Sequence, residues 1–231
     1  MRTYTDKEYI ELVEKTSEPI LQKQISLEIK EILDVKNSNE KTFIDLGAGH
    51  GRVLPTLSKV ARDVISVEIN PKMIPELEKR SREFENAKMI VGDLTELSKV
   101  LENETLKNPV LLLLQNTLGT IEGDWEKVLL EMKKVAENNF GEIIISLFCS
   151  EELSSWGVSS LYPSIAKMIG NPDLEKTDFE NGLFVSESGY TSKWRSREEI
   201  ESIKKFFQGE LVREISTKEF KILHIRYRRF K

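Results

Sequence analysis

Three short clusters carry residue types that do chemistry together. The first is Asp45-Leu46-Gly47-Ala48-Gly49-His50-Gly51. Glycines at every second position after an apolar run let the backbone approach a ligand closely and adopt positive φ. A dinucleotide site uses the spacing G-x-G-x-x-G and seats a pyrophosphate on the helix that follows. Here Arg52 stands where the third glycine would be, and the spacing is G-x-G-x-G. Asp45 also precedes the turn. A carboxylate there repels a pyrophosphate and suits a cationic ligand, such as a sulfonium with a free ammonium group. The second cluster is Glu68, roughly twenty residues after the turn, the usual place for an acid that accepts both hydroxyls of a ribose diol. The third is Gly92-Asp93-Leu94. Asp93 can accept from an exocyclic adenine amine, or it can cap the following helix. Each cluster has a plain alternative: a tight turn without a ligand, a surface acid at a strand end, a helix cap.

These residues need elements to hold them. Thr42 to Leu46 reads as a short buried strand, and Val53 to Val60 as the helix after the turn. Asp63 to Glu68, Lys88 to Val91, Val110 to Leu114 and Glu142 to Phe148 read as further strands. Between them, helical patterns run from Asn70-Pro71 to about Phe84, from Leu94 to Leu101 and from Asp124 to Asn138. Strands alternating with helices at these lengths predict an α/β fold with a doubly wound, mostly parallel sheet. Right-handed crossovers then bring the strand-end loops to one edge. The final strands, Glu210 to Ser216 and Phe220 to Arg228, are joined too closely for a crossover helix and must be antiparallel.

Two flanking regions depart from this alternation. At the N-terminus, Thr5 and Glu8 form a capping-box pair. Ser17 is then a candidate cap for a helix in which Ile20, Ile25, Ile29 and Ile32 recur at helical spacing. Residues 1–35 are therefore expected to form a helical cap. Residues 150–195 read as an inserted lid ending in a hairpin around Ser188-Gly189, and the capping pair Ser196 and Glu199 opens a last helix. The 231 residues as a whole suit one domain.

Composition narrows the function. The net charge of −5 argues against a nucleic-acid coat. The basic run Arg226, Arg228, Arg229 and Lys231 reads as a solvated strand edge. Cys149 is the single cysteine, and His50 and His224 are the two histidines. No intrachain disulfide can form, and no metal site is expected. The opening residues are not a secretory signal, and Val110 to Leu114 is too short to span a bilayer. A cytoplasmic protein without a membrane partner is expected.

The run Phe43 to Gly51, then Val67-Glu68-Ile69-Asn70-Pro71-Lys72-Met73, then Val91-Gly92-Asp93-Leu94, resembles the class I S-adenosylmethionine-dependent methyltransferases. The resemblance covers about Thr42 to Phe148 and, more loosely, the final antiparallel pair. It implies the Rossmann-like methyltransferase fold, a seven-stranded sheet with a reversed last strand. It also implies S-adenosylmethionine as cofactor and S-adenosylhomocysteine as product. By that resemblance Gly47, Ala48 and Gly49 pass beneath the cofactor, and Asp45 helps hold its ammonium. Glu68 takes the ribose, Ile69 and Leu94 pack on the adenine, Asp93 takes its amine, and Gln115 offers its backbone near the methionine moiety.

The acceptor side is less specific. Gln115-Asn116-Thr117-Leu118-Gly119 lacks the Asp/Asn-Pro-Pro-Tyr signature of methyltransferases acting on bases or glutamine amides. It resembles the loop of small-molecule N- and O-methyltransferases. Gln115, Asn116, Tyr190, Trp194 and Glu187 are the candidate acceptor-side residues, with Trp156 and Tyr162 beside them. Aromatic faces there suit an amine by cation–π attraction, or else they close a small core under the lid. A small-molecule acceptor, an amine ahead of a hydroxyl or carboxylate, is the expectation. A protein acceptor, a less favoured tRNA acceptor, and cofactor binding without turnover are the alternatives.

Overall fold

The core strands owe their places to their composition. Val110–Leu113 has no polar side chain and is buried along its whole length, as a strand covered on both faces must be. Thr42–Leu46 and Glu142–Phe148 are likewise buried throughout. Ala87–Val91 and Glu210–Ser216 carry exposed residues and lie at the two sheet edges. The computed structural model describes residues 16–121 and 123–228. The helix expected from Thr5 and Glu8 lies outside them.

Nine strands are present among the described residues: β1 Thr42–Leu46, β2 Asp63–Glu68, β3 Ala87–Val91, β4 Val110–Leu113, β5 Glu142–Phe148, β6 Leu183–Val185, β7 Thr191–Lys193, β8 Glu210–Ser216 and β9 Phe220–Arg226. Seven form one sheet in the order β3-β2-β1-β4-β5-β9-β8, and β6 and β7 form a separate hairpin. Strands β1 to β5 run parallel, and β9 runs antiparallel to both β5 and β8. The doubly wound sheet with a reversed last strand is the architecture expected. The reversed strand lies inside the sheet, and β8 takes the edge.

The longer helices are α1 Pro19–Leu33, α2 Leu54–Val60, α3 Ile74–Ser81, α4 Trp125–Asn138 and α5 Arg197–Phe207. Three sequence expectations need correction. Glu18, not Ser17, caps α1: its carboxylate accepts from the Leu21 N–H at 2.5 Å. Asn70 does not open α3 directly. Its side chain caps a turn through the Lys72 N–H, and the helix begins at Ile74 with Pro75 in its first turn. The pattern from Leu94 to Leu101 breaks into a 3₁₀ turn, Leu94–Glu96, and one α turn, Leu97–Val100.

α1 also turns an unexpected face inward. Its buried residues are Leu21, Gln24, Glu28, Glu31 and Ile32. Ile20, Ile25 and Ile29 are only partly buried. The residues after Ser150 contain a π-helical segment, Leu153–Leu161, which packs Leu153, Trp156 and Leu161 into the core shared by α1. The capping box of α5 forms as expected, with Ser196 and Glu199 each accepting from the other's backbone N–H. Among the described residues, no helix is long and apolar enough to cross a membrane.

Candidate active site

Because β1 to β4 are parallel, the segments following them emerge on one sheet edge. The order changes direction between β1 and β4, which leaves a crevice at that point. The glycine turn is tied to its neighbour strand: the N–H groups of Gly47 and Ala48 donate to the Val67 carbonyl at 2.9 and 3.1 Å. Gly47, Gly49 and Gly51 have φ of 66°, 58° and 87°, a region that side chains disfavour. Gly47 has a second constraint. A Cβ there would lie 2.6 Å from Thr117 Cγ2, so this glycine admits the loop that follows β4.

Asp45, the penultimate residue of β1, precedes this turn and is 4% exposed. Its Oδ2 has no hydrogen-bond partner among the described residues. Burial pushes its carboxyl up to about 7; Arg52 opposes that rise, and Glu68 and Glu28 add to it.

Glu68 ends β2 and is tied to backbone. Its Oε2 accepts from the Gly49 N–H at 2.7 Å, and its Oε1 accepts from the N–H groups of Ile69 and Asn70 at 2.8 and 2.7 Å. A diol binding there would share or exchange the Gly49 contact. Ile69 is 59% exposed, a large apolar side chain open at a strand end. Asp93 is exposed and caps the next turn through the Thr95 N–H at 2.8 Å, and Leu94 is buried.

Gln115 and Asn116 follow β4 in the left-handed region, φ 49° and 57°. Asn116 is a clamp. Its Oδ1 accepts from the Phe148 N–H at 3.1 Å, and its Nδ2 donates to Ser192 Oγ and the Lys193 carbonyl at 3.3 and 3.2 Å. It thereby joins β5 to the hairpin, and its amide is committed to that role. Gln115 donates its N–H to Glu28 Oε1 at 2.9 Å, while its Nε2 is buried without a partner among the described residues.

The aromatic side chains expected near the acceptor lie largely in a buried cluster with Phe148 and Phe184. Trp194, Tyr162 and Trp156 are 0%, 2% and 4% exposed. Tyr162 stacks on Phe184 with ring centroids 3.4 Å apart, and its hydroxyl accepts from Trp194 Nε1 at 2.6 Å. Trp156 and Trp194 both pack on Phe148. Tyr190 is half-buried at the margin of this cluster, and exposed Glu187 accepts from Asn171.

A polar group absent from the sequence expectations lies beside Asp45. Glu28 of α1, fully buried, accepts at Oε2 from Arg52 Nη2 at 2.7 Å and at Oε1 from Ser146 Oγ at 2.5 Å and the Gln115 N–H. Gln24, one turn earlier, donates to Ser146 Oγ at 3.4 Å. The signal was legible: Leu21, Gln24, Glu28 and Glu31 repeat at the spacing of a buried stripe, with polar residues where apolar ones are usual.

A family model described as a methyltransferase domain matches residues 37–201. Among curated proteins, the chain is 26% identical over 162 residues to a ribosomal RNA small subunit methyltransferase A of Staphylococcus carnosus. That match covers 62% of this chain and 52% of the relative. A probable ribosomal RNA small subunit methyltransferase A of Methanosarcina acetivorans is 34% identical over 71 residues, 29% of this chain and 26% of that one. The chain thus spans about half the length, or less, of the curated relatives it matches. Among solved structures, the PH0226 protein of Pyrococcus horikoshii OT3 superposes with a TM-score of 0.67 at 19% identity, covering 97% of this chain and all (100%) of that one. A SAM-dependent methyltransferase from Aquifex aeolicus gives 0.59 at 16%, with 97% and 100% covered. At these identities the structural likeness is one of fold.

Proposed function

The chain belongs to the methyltransferase domain family, and on that premise we propose that it transfers the methyl group of S-adenosylmethionine to a small-molecule acceptor, an amine ahead of a hydroxyl or carboxylate. The observation that carries the cofactor reading is the buried, unpartnered Asp45 Oδ2 just before the glycine turn, at the point where the strand order reverses. A buried carboxylate without a partner is costly, and a ligand ammonium relieves it. Glu68 and exposed Ile69, side by side at the end of β2, suit a ribose and an adenine face.

When bound, the cofactor supplies a methyl carbon already activated by its sulfonium. The residues of this chain are left to orient and to exclude water. Gly47 lets the loop after β4 close on the turn, and Asn116 holds that loop against β5 and the hairpin. Two observations favour a small cationic acceptor. The carboxylates of Glu68 and Glu28 both act on Asp45, a local excess of acid that suits an amine better than a polyanion. The β6–β7 hairpin is bound directly to the β4 loop through Asn116, a contact that suits an enclosed acceptor.

The similarity to ribosomal RNA methyltransferases favours a second reading, an RNA acceptor. Labelled S-adenosylmethionine, incubated with the protein and cell extract and then fractionated by size, distinguishes them. Label in the small-molecule fraction is expected. Label in RNA supports the second reading. Label in protein, or none despite measurable S-adenosylhomocysteine binding, refutes both.

A further inference from the structure

The buried face of α1 leaves a surplus of polar atoms beside the glycine turn. Four have no hydrogen-bond partner among the described residues: the acceptors Gln24 Oε1 and Asp45 Oδ2, and the donors Arg52 Nη1 and Gln115 Nε2. Gln24 and Asp45 are 0% and 4% exposed, so bulk water does not satisfy them. One set of contacts links Gln24, Gln115 and Arg52, and Asp45 is coupled to Arg52 through its charge. Gln24 reaches Ser146, Ser146 reaches Glu28, and Glu28 holds both the Gln115 N–H and Arg52 Nη2. Arg52 is also the cation that most favours the ionised form of Asp45.

The signs of these groups restrict the ligand. A cation alone would satisfy Asp45 and leave Arg52 Nη1 unpaired. An anion alone would leave Asp45 unpaired and face three carboxylates. A zwitterion supplies a donor to one and an acceptor to the other without adding net charge.

We propose that Arg52 and Asp45 divide the two charges of the cofactor's amino-acid end, Arg52 taking the α-carboxylate and Asp45 the α-ammonium, and that Glu28 of α1 is the positioning residue that aims Arg52. This rests on the S-adenosylmethionine reading given above. The pairing of Glu28 Oε2 with Nη2 holds one end of the guanidinium and leaves Nη1 for a second acceptor. Glu28 Oε1 meanwhile fixes the Gln115 backbone, so one buried carboxylate from the N-terminal helix sets two walls of the site.

Calorimetry with two probes tests this: S-adenosylhomocysteine, and its decarboxylated analogue S-adenosyl-3-thiopropylamine, which keeps the amine and lacks the carboxylate. The wild-type protein is expected to prefer S-adenosylhomocysteine by roughly 10- to 100-fold, the usual range for a charge-assisted pair. Arg52→Gln is expected to abolish that preference by lowering the affinity for S-adenosylhomocysteine far more than that for the analogue. Glu28→Gln, which keeps the side-chain shape, is expected to reduce the preference several-fold. A purely structural Arg52, braced by Glu28 with water on Nη1, predicts instead that both affinities fall together or that the preference persists. Either result overturns the proposal. If Arg52→Gln does not fold, the wild-type ratio and Glu28→Gln decide, and a wild type without preference refutes it. A protein that binds neither probe refutes the cofactor reading itself, an outcome distinct from the loss of selectivity alone.

Discussion

Asp45 carries a conflict between stability and binding. Its carboxyl is pushed up to about 7, by burial first, with Arg52 opposing and Glu68 and Glu28 adding to the rise. The folded state therefore holds this proton more tightly than the unfolded chain, whose value is near 3.8. The corresponding stability is fully present below that value and is lost as pH rises through about 7. A bound ammonium reverses the preference by favouring the carboxylate. Asp45→Asn is accordingly expected to raise the melting temperature of the ligand-free protein at pH 8 more than at pH 5. It should also weaken S-adenosylhomocysteine binding and flatten the increase in affinity between pH 6 and pH 8. Melting curves and calorimetry at these values check both effects. If the variant kept the wild-type pH dependence of binding, Asp45 would not be the ammonium partner.

Two contacts between elements set the site. The first is the approach of the β4 loop to the glycine turn. Gly47→Ala is expected to cost about 1–2 kcal/mol from the left-handed backbone alone, plus the clash with Thr117 Cγ2. Thr117→Ser removes that methyl and can keep the hydroxyl's bond to the Leu114 carbonyl. In that background the cost of Gly47→Ala should fall by about 1 kcal/mol. Denaturant unfolding of the four proteins gives the coupling, and additive costs would mean the loop moves aside freely. The second contact ties α1 to the sheet. His224 on β9 places Nδ1 2.7 Å from Glu31 of α1 and Nε2 2.5 Å from Glu142 of β5. Arg213 also pairs with Glu31 and Asp34, and Lys41 and Arg226 pair with Glu142. Burial would lower the His224 pKa, but its bonds to Glu142 and Glu31 outweigh burial and raise it above 6.5. A raised histidine value stabilises the fold fully below 6.5, and that stability is lost as pH climbs through the folded value. Glu142 works in the opposite sense. Burial would raise its carboxyl, but bonds from His224, Arg226 and Lys41 hold it at about 2, so its contribution is lost only in strong acid. His224→Gln should therefore flatten the decline in melting temperature between pH 6 and pH 9. An equally steep decline in the variant would place the pH dependence elsewhere.

At the scale of the whole molecule, cofactor binding should appear as linkage. A ligand that binds only the folded state at about 100 times its Kd adds about 2.7 kcal/mol. For a chain of this size that raises the melting temperature by roughly 5–10 °C. S-adenosylhomocysteine is expected to do so in scanning calorimetry, and NAD at the same concentration is not. Stabilisation by NAD alone would overturn the reading of the glycine turn. The net charge of −5 acts at this scale too, since it opposes the approach of a nucleic acid to a site already rich in carboxylates.

Much of this was legible in the chain. The buried strands Thr42–Leu46, Asp63–Glu68 and Glu142–Phe148 follow from apolar runs bounded by turn residues. Their parallel order follows from the helices between them, because a crossover has only one favourable hand. The α5 capping box is a local interaction, and local interactions are written in local sequence. What escaped depends on residues far apart in the chain. Whether Trp194 faces a ligand or packs on Phe148 and bonds to Tyr162 depends on how residues 150–195 fold back on β5. The stripe on α1 is visible in its spacing, but its partners at Arg52, Ser146 and His224 are each more than twenty residues from the carboxylate they meet. By itself, the sequence determined the fold, the glycine turn and the acids at the strand ends. The tertiary structure decided which buried charges meet, because a buried polar group takes its meaning from the partner that desolvation forces it to find.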